Sequence, residues 1–254
     1  MKLKPLLLIV LFCIANSIYA QIYQLNYQFN NYVSILNRTN TYNTTLVYDV
    51  PNKESLYTVI KLKEKEKAKS ENNSTSLVIE EKVIDNELIY SNFKKSEMII
   101  QEQIDIEMMN FTEKIPTIKW ELSNETKVEN DYNLKKATAT FRGRNYTAWY
   151  TLDIPVNVGP WKLHGLPGAI VSVNEDSGRY SWQLKDVNKI EVSTIKNPLE
   201  NKTYAVKSIK EYPQLKFETP ERIKEKLRKI DSNFIFPKGE RIDLELIFEW
   251  ENSL

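Results

Sequence analysis

In Ile22-Tyr23-Gln24-Leu25-Asn26-Tyr27-Gln28-Phe29, the polar Gln24, Asn26 and Gln28 interleave with Tyr23, Leu25, Tyr27 and Phe29. Successive side chains of an extended chain point to opposite faces, so this is a half-buried strand with an aromatic face. The same alternation recurs downstream. Leu46-Val47-Tyr48 and Leu56 to Ile60 read as strands separated by the turn residues Asp49-Val50-Pro51-Asn52. Leu88-Ile89-Tyr90, Thr117 to Leu122, Ala137 to Phe141, Tyr146 to Leu152, Ala169 to Val173 and Arg179 to Leu184 follow the pattern. Met98 to Met108 fits a strand or a helix. Asp176-Ser177-Gly178 suits a hairpin turn. Ile242 to Trp250 alternates most cleanly of all and predicts a strand paired inside a sheet.

Helical spacing stands out once. Thr219 suits an N-cap and Pro220 the first helical position, and Ile223, Leu227 and Ile230 share one face. The expectation is mainly β: a large curved antiparallel sheet, half-barrel or bowl-like, with one helix from Thr219 to Ile230 against it. A two-sheet β-sandwich is the alternative. The charged stretch from Lys63 to Ser76 reads as a solvated loop.

Composition narrows the function classes. A formal charge of +1, from 35 basic and 34 acidic side chains, lacks the basic excess of a nucleic-acid binder. Lys2 and Lys4, the apolar run Leu6 to Ile14 and Ala20 together read as a signal peptide over residues 1–20. Residues 21–254 then form a single β domain, exported to the periplasm or secreted, with no transmembrane segment. Cleavage removes Cys13, the only cysteine, so the mature chain has no disulfide or thiol chemistry.

Glycine is scarce, yet four of six fall in one stretch: Gly143, Gly159, Gly165 and Gly168. Pro167 and Gly168 suit the central positions of a type II turn, and Gly159-Pro160-Trp161 makes a second turn before it. Phe141-Arg142-Gly143-Arg144, Ala148-Trp149-Tyr150-Thr151, Asp153-Ile154-Pro155, Gly159-Pro160 and Gly165-Leu166-Pro167-Gly168-Ala169-Ile170 appear in that order, with Trp120 and Glu125-Thr126-Lys127 upstream. Over residues 118–173 the chain resembles the GLPGLI family of exported proteins, found mainly in Bacteroidota. Ala169 stands where that family usually has Leu, and Leu134 where many members have Cys. The resemblance implies export and a β fold but no established activity. The family's genes often accompany those of outer-membrane receptors, which implies an envelope role.

The chemistry-bearing residues are few. His164 is the only histidine, which excludes a His-rich metal site and leaves it as a polar residue beside a turn. Arg142 and Arg144 share a strand face if the strand is regular. There they could clamp a carboxylate or phosphate, or pair internally with acids such as Asp153 or Glu125. Trp149 and Tyr150 point to opposite faces, so at most one is core. With Trp161 they are candidates for stacking on a sugar or lipid chain. Asp153, Glu175 and Asp176 could supply a carboxylate pair. No catalytic residue, metal or cofactor is assigned. The expectation is a non-enzymatic module binding an apolar or glycan ligand or a partner, through Arg142, Arg144, Trp149, Trp161 and His164. A carboxylate-based hydrolase acting on glycans and a scaffold for an outer-membrane receptor complex are the alternatives.

Overall fold

The computed structural model describes residues 22–60, 87–104, 107–190, 195–200, 205–218, 225, 228–229, 241 and 243–251. The signal peptide expected over residues 1–20 and the loop expected over 63–76 lie outside them. So does most of the helix expected over 219–230, of which Glu225, Arg228 and Lys229 are described and helical.

Among the described residues, twelve strands form one sheet. They are β1 (Ile22–Val33), β2 (Arg38–Asp49), β3 (Glu54–Ile60), β4 (Glu87–Asn92), β5 (Glu97–Ile104), β6 (Glu107–Lys114), β7 (Glu121–Glu129), β8 (Tyr132–Phe141), β9 (Arg144–Thr151), β10 (Ala169–Glu175), β11 (Tyr180–Ile190) and β12 (Val206–Ser208). A short helix, α1 (Tyr212–Phe217), follows. The strand order is β12-β6-β5-β4-β3-β2-β1-β11-β10-β9-β8-β7, so the sheet is open, with β12 and β7 at its edges. Every pairing is antiparallel except the parallel β12–β6 pair. One mixed sheet replaces the sandwich alternative.

The alternation read in β1 has its predicted effect. Tyr23, Leu25, Tyr27 and Phe29 are buried, while Gln24, Asn26 and Gln28 are half-buried on the other face. Phe29 faces Tyr42 of β2 and Trp182 of β11 in register and stacks on both, with ring centroids 5.9 and 4.8 Å apart. Such aromatic pairs add roughly 0.5–1.5 kcal/mol beyond burial. On the opposite face, Asn26 accepts from Thr45 and donates to Asp186, joining three strands by side-chain amides and hydroxyls.

Tight turns connect the strands. Asp49 caps the β2–β3 turn by accepting from the Asn52 backbone N–H at 2.9 Å. Gly178, with φ +73°, closes the β10–β11 turn and donates to the Glu175 carbonyl. Met98 to Met108 resolves into strands β5 and β6 rather than a helix. The strand expected from Thr117 begins only at Glu121.

Three sequence readings are corrected. First, Arg142 and Gly143 are not strand residues. They form the two-residue turn of the β8–β9 hairpin, with φ +46° and +82°, the left-handed pair such turns require. Arg142 and Arg144 therefore do not share a regular strand face. Second, the turn at Pro167-Gly168 is not type II. Gly165 carries the positive φ, of +93°, whereas Gly168 does not. Glycine is needed at 168 for close approach: a Cβ there would lie 1.8 Å from the Thr151 carbonyl oxygen.

Third, residues 243–251 are not a strand. They lie across the β8–β9 turn, with the Leu246 and Ile247 N–H groups donating to the Arg142 carbonyl at 2.9 and 3.3 Å. Phe248 is fully buried, but Glu245, which has the opposite parity, is buried as well, so the faces expected of a strand are broken. Arg142 and Lys162, buried beneath this segment, pair with Glu245 and draw it inward.

Candidate functional site

The segment between β9 and β10 packs into the core formed by the buried face of the sheet, through Ile154, Val156, Val158, Leu163 and Leu166. Leu166 is buried there, Gly165 donates to the Asn157 carbonyl at 3.0 Å, and Ala169 donates to the Ile154 carbonyl at 3.1 Å. This docking presents Trp161 and Lys162. Trp161 has φ +57°, a conformation that costs a bulky L-residue ~1–3 kcal/mol and persists only where its surroundings enforce it. The enforcement is visible: its ring lies parallel to Trp182 at 6.2 Å and edge-on to Phe141 at 5.7 Å.

Lys162 is 1% exposed and reaches two buried carboxylates, Glu113 of β6 at 2.7 Å and Glu245 at 2.8 Å. Arg142 pairs with the same two acids from the hairpin turn, and its Nε donates to Glu249 at 3.2 Å. Two cations and two carboxylates thus form a closed buried ring, with Glu249 at its rim. β6 and the β8–β9 turn stand near opposite ends of the strand order. The ring therefore ties the two ends of the curved sheet together. Burial opposes the charge on Glu113, yet Lys162 and Arg142 hold its carboxyl below the usual value. Burial likewise opposes the charge on Arg142, and Glu245 and Glu113 outweigh it.

Beside the ring, under the curve of the sheet, lies a cavity of about 100 Å³. Phe29, Tyr57, Trp161 and Trp182 line one part, and Trp182 Nε1 donates to the Tyr57 hydroxyl at 3.1 Å. Glu87, Glu102, Asp243 and Glu245 line another part, with Lys162 and Tyr212 among them. Lys216 of α1 lies 2.5 Å from Glu102 and 3.2 Å from Asp243, and the Tyr212 hydroxyl donates to Glu102 at 3.0 Å. Burial pushes the Glu102 carboxyl up to about 7, against Lys216; Asp243 and Glu87 push the same way as burial.

A stability effect follows from that shift. Between the ordinary carboxyl value and about pH 7, the folded chain holds a proton on Glu102 that the unfolded chain has released. This contribution is present at low pH and is lost as pH rises through about 7. Glu102→Gln should therefore flatten the decline in melting temperature between pH ~5 and ~8. An unchanged pH profile in thermal scans would refute the assignment.

The expected site residues are dispersed. Trp161 lines the cavity. Arg142 is in the ion ring and borders an outer groove of about 840 Å³ with Glu249 and Trp250. Arg144 pairs with Glu175 at 3.1 Å and donates to the Asp243 carbonyl. Both arginines are thus paired internally, the alternative to ligand binding, and with other acids than Asp153 or Glu125. Tyr150 is buried, while Trp149 lies on the other face under Lys127, away from the cavity.

His164 has no hydrogen-bond partner at its buried Nδ1 among the described residues. Burial pushes it down to about 4, so it is neutral at physiological pH. It borders a void of about 10 Å³ with Ser55 and Ser91, room for one water. Asp153 accepts from Thr151 near the surface, and Asp176 borders an outer depression. Neither reaches the cavity, nor does Glu175.

Sequence reading missed Glu102, Glu113, Lys162, Lys216, Asp243 and Glu245. Only Lys162 carried a signal, as a cation set between Trp161 and Leu163 in a glycine-rich stretch. Among the described residues no group of acids and histidine forms a metal cluster, and no helix is long and apolar enough to cross a membrane.

The architecture is that of an open β-sheet protein with a cavity beneath its curve. Residues 141–172 match a family model described as "Protein of unknown function (Porph_ging)". That stretch holds the hairpin turn, Trp161, Lys162 and the Gly165–Gly168 turn. No curated protein matches the chain. Among solved structures it is similar to PNGF-II in space group P21, with 19% identity and a TM-score of 0.50 over 78% of this chain and 34% of that one. The C2 form gives 18% identity and a TM-score of 0.48 over 88% and 36%. The chain thus spans about a third of that neighbour, and the P21 likeness is one of fold alone.

Proposed function

We propose that the protein is a member of the GLPGLI family, exported through the signal peptide at residues 1–20. Residues 21–254 serve as one non-enzymatic binding domain in the periplasm or outside the cell. The cavity takes a side group or chain end of a ligand, glycans being the favoured class. The observation that supports this is a cavity lined both by the Trp161–Trp182–Phe29 stack and by carboxylates. Small-molecule sites combine an aromatic wall with a few convergent polar groups in this way. A purely apolar ligand fits less well, because it would strip water from the half-buried Glu102 and Asp243, which share the Lys216 ammonium.

Of the alternatives, a carboxylate hydrolase needs open space between two carboxyls for the scissile bond. Here the Lys216 ammonium lies between Glu102 and Asp243, which favours binding over bond cleavage. A receptor-scaffold role would use the outer surface, and no feature described above favours it.

The test is native mass spectrometry of the protein purified from its producing cells, together with tryptophan fluorescence against a glycan panel. A retained species, or quenching lost in Trp161→Ala, is expected. An empty protein whose fluorescence no glycan alters would overturn the reading.

A further inference from the structure

Phe29 and Trp182 face the cavity, so Gln28 and Gln183, their neighbours in sequence, point to the opposite side of the sheet. That outer face changes character along the strand order. Over β2 to β5 it is apolar and covered, with Ile195 and Leu199 packed against Val47, Leu56, Tyr90 and Ile99. From β2 across β1, β11, β10 and β9 to β8 it is polar. Strand register aligns Thr41, Asn30, Ser181, Asn174, Thr147 and Thr138 in one row across these six strands. A second row beside it runs Asn43, Gln28, Gln183, Ser172, Trp149 and Lys136. With strands ~4.8 Å apart, each row is ~24 Å long.

These rows are almost free of charge. Charged residues make up 27% of the chain, yet Lys136 is the single one in the two rows, and it is paired with Glu125 at 2.9 Å. Solvated faces ordinarily gather the charges that the core rejects. Here amides and hydroxyls replace them, and bonds between strands hold them in place. Asn30 accepts from Thr41 at 2.9 Å and donates to Ser181 at 3.3 Å. Gln28 donates to Asn30 at 3.3 Å, and Gln183 donates to Glu129 at 3.2 Å. A primary amide carries two N–H donors and two acceptor lone pairs, so both glutamines keep a donor and an acceptor for a ligand. Thr41, Asn43 and Asn174 are exposed. Trp149 is half-buried with Lys127 over its ring, so hydrogen bonding rather than stacking is what this face offers.

The chemistry of the rows selects the partner. Protein interfaces are built on aromatic and aliphatic centres, and nucleic acids need cations to neutralise phosphate. The rows supply neither. A polymer of uncharged hydroxyls fits, because each hydroxyl both donates and accepts, and no charge on either side loses its water. The first row runs into an outer depression of about 390 Å³, bordered by Thr138, Asn145 and Thr147 and by the charged Lys119, Glu121 and Asp176. Charge therefore returns only where the row ends. We infer that the outer face binds a neutral polysaccharide, laid across the strands along the two rows. This site lies on the other side of the sheet from the cavity and does not depend on it.

The experiment is affinity electrophoresis of the purified protein in native gels containing hydroxyethylcellulose, mannan or the polyanion alginate. At least one neutral polymer should retard the protein, and alginate should not. Calorimetry with the retarding polymer should give the same affinity at ~50 and ~500 mM salt, since no ion pair is made. Asn174→Glu with Thr147→Glu places two carboxylates in the first row and should weaken binding ~10-fold or more, a difference of about 1.4 kcal/mol. Asn43→Glu, at an exposed position of the second row, should weaken it several-fold, while Lys114→Glu on β6, outside both rows, should not. Circular dichroism identifies any variant that has not folded, and Asn43→Glu decides if the double variant does not. Failure of both neutral polymers to bind, equal retardation by alginate, or affinity unmoved in the folded row variants overturns the inference. The cavity reading keeps its own test, the loss of quenching in Trp161→Ala, and survives any of these results.

Discussion

Gly168→Ala is expected to lower the melting temperature by ~10 °C or more, a loss above ~3 kcal/mol, and to leave much of the protein insoluble. The reason is steric. The new Cβ would stand 1.8 Å from the Thr151 carbonyl oxygen and 2.7 Å from its carbon. Both are backbone atoms of β9, which cannot rotate away as a side chain would. Relief requires separating the turn from the strand, which breaks the β9–β10 pairing at Ala169–Thr151. Gly165→Ala is the contrast. A Cβ there meets nothing within 4 Å, and only its φ of +93° resists the change, at a cost of about 1 kcal/mol. Thermal denaturation of both variants decides the point. Equal losses would mean that close approach to Thr151 does not fix the glycine at 168.

The second large effect is at the ion ring. Arg142→Met leaves Glu113 and Glu245 buried with Lys162 alone, and should cost roughly 3–5 kcal/mol, the usual result of uncompensating a buried pair. Removing one cation and one acid together, as in Lys162→Met with Glu245→Gln, should cost less than Arg142→Met, because charge balance is kept. The pH dependence has a definite sign. Because the folded Glu113 carboxyl lies below its unfolded value of 4.5, its contribution is full above that value and disappears as pH falls below it. Urea midpoints at pH ~7 and ~3.5 test both statements. An Arg142→Met protein as stable as the parent at neutral pH would refute the role of the ring.

Much of the fold was legible because the sheet has one buried and one half-buried face. Tyr23, Leu25, Tyr27 and Phe29 announce β1 by parity alone, and Ala137–Phe141 and Ala169–Val173 fall inside β8 and β10. Parity failed at Ile242–Trp250, where Asp243, Glu245 and Glu249 look like a solvent face. Glu245 instead turns inward to Lys162, 83 residues away in sequence. The concentration of glycine in one stretch pointed to tight backbone, yet Gly168 serves close approach and Gly165 the positive φ. The cavity was not legible. Its acids resemble the many others in the chain until β5, α1 and residues 243–245 converge, and convergence is tertiary. Trp161 alone was named in advance, for being an aromatic beside a turn.

The strand order also bears on how the molecule is made. β1, first of the strands in the chain, lies mid-sheet between β2 and β11, with Ile22 opposite Ile190 and Asn31 opposite Tyr180. During synthesis the β1–β2 hairpin can form at once, but the seam to β11 must wait for ~150 further residues. Such long-range pairing is slow. Until it closes, the tyrosine and phenylalanine row of β1 remains bare to solvent, so the nascent chain passes through a sticky, half-assembled stage that favours a chaperone at its side.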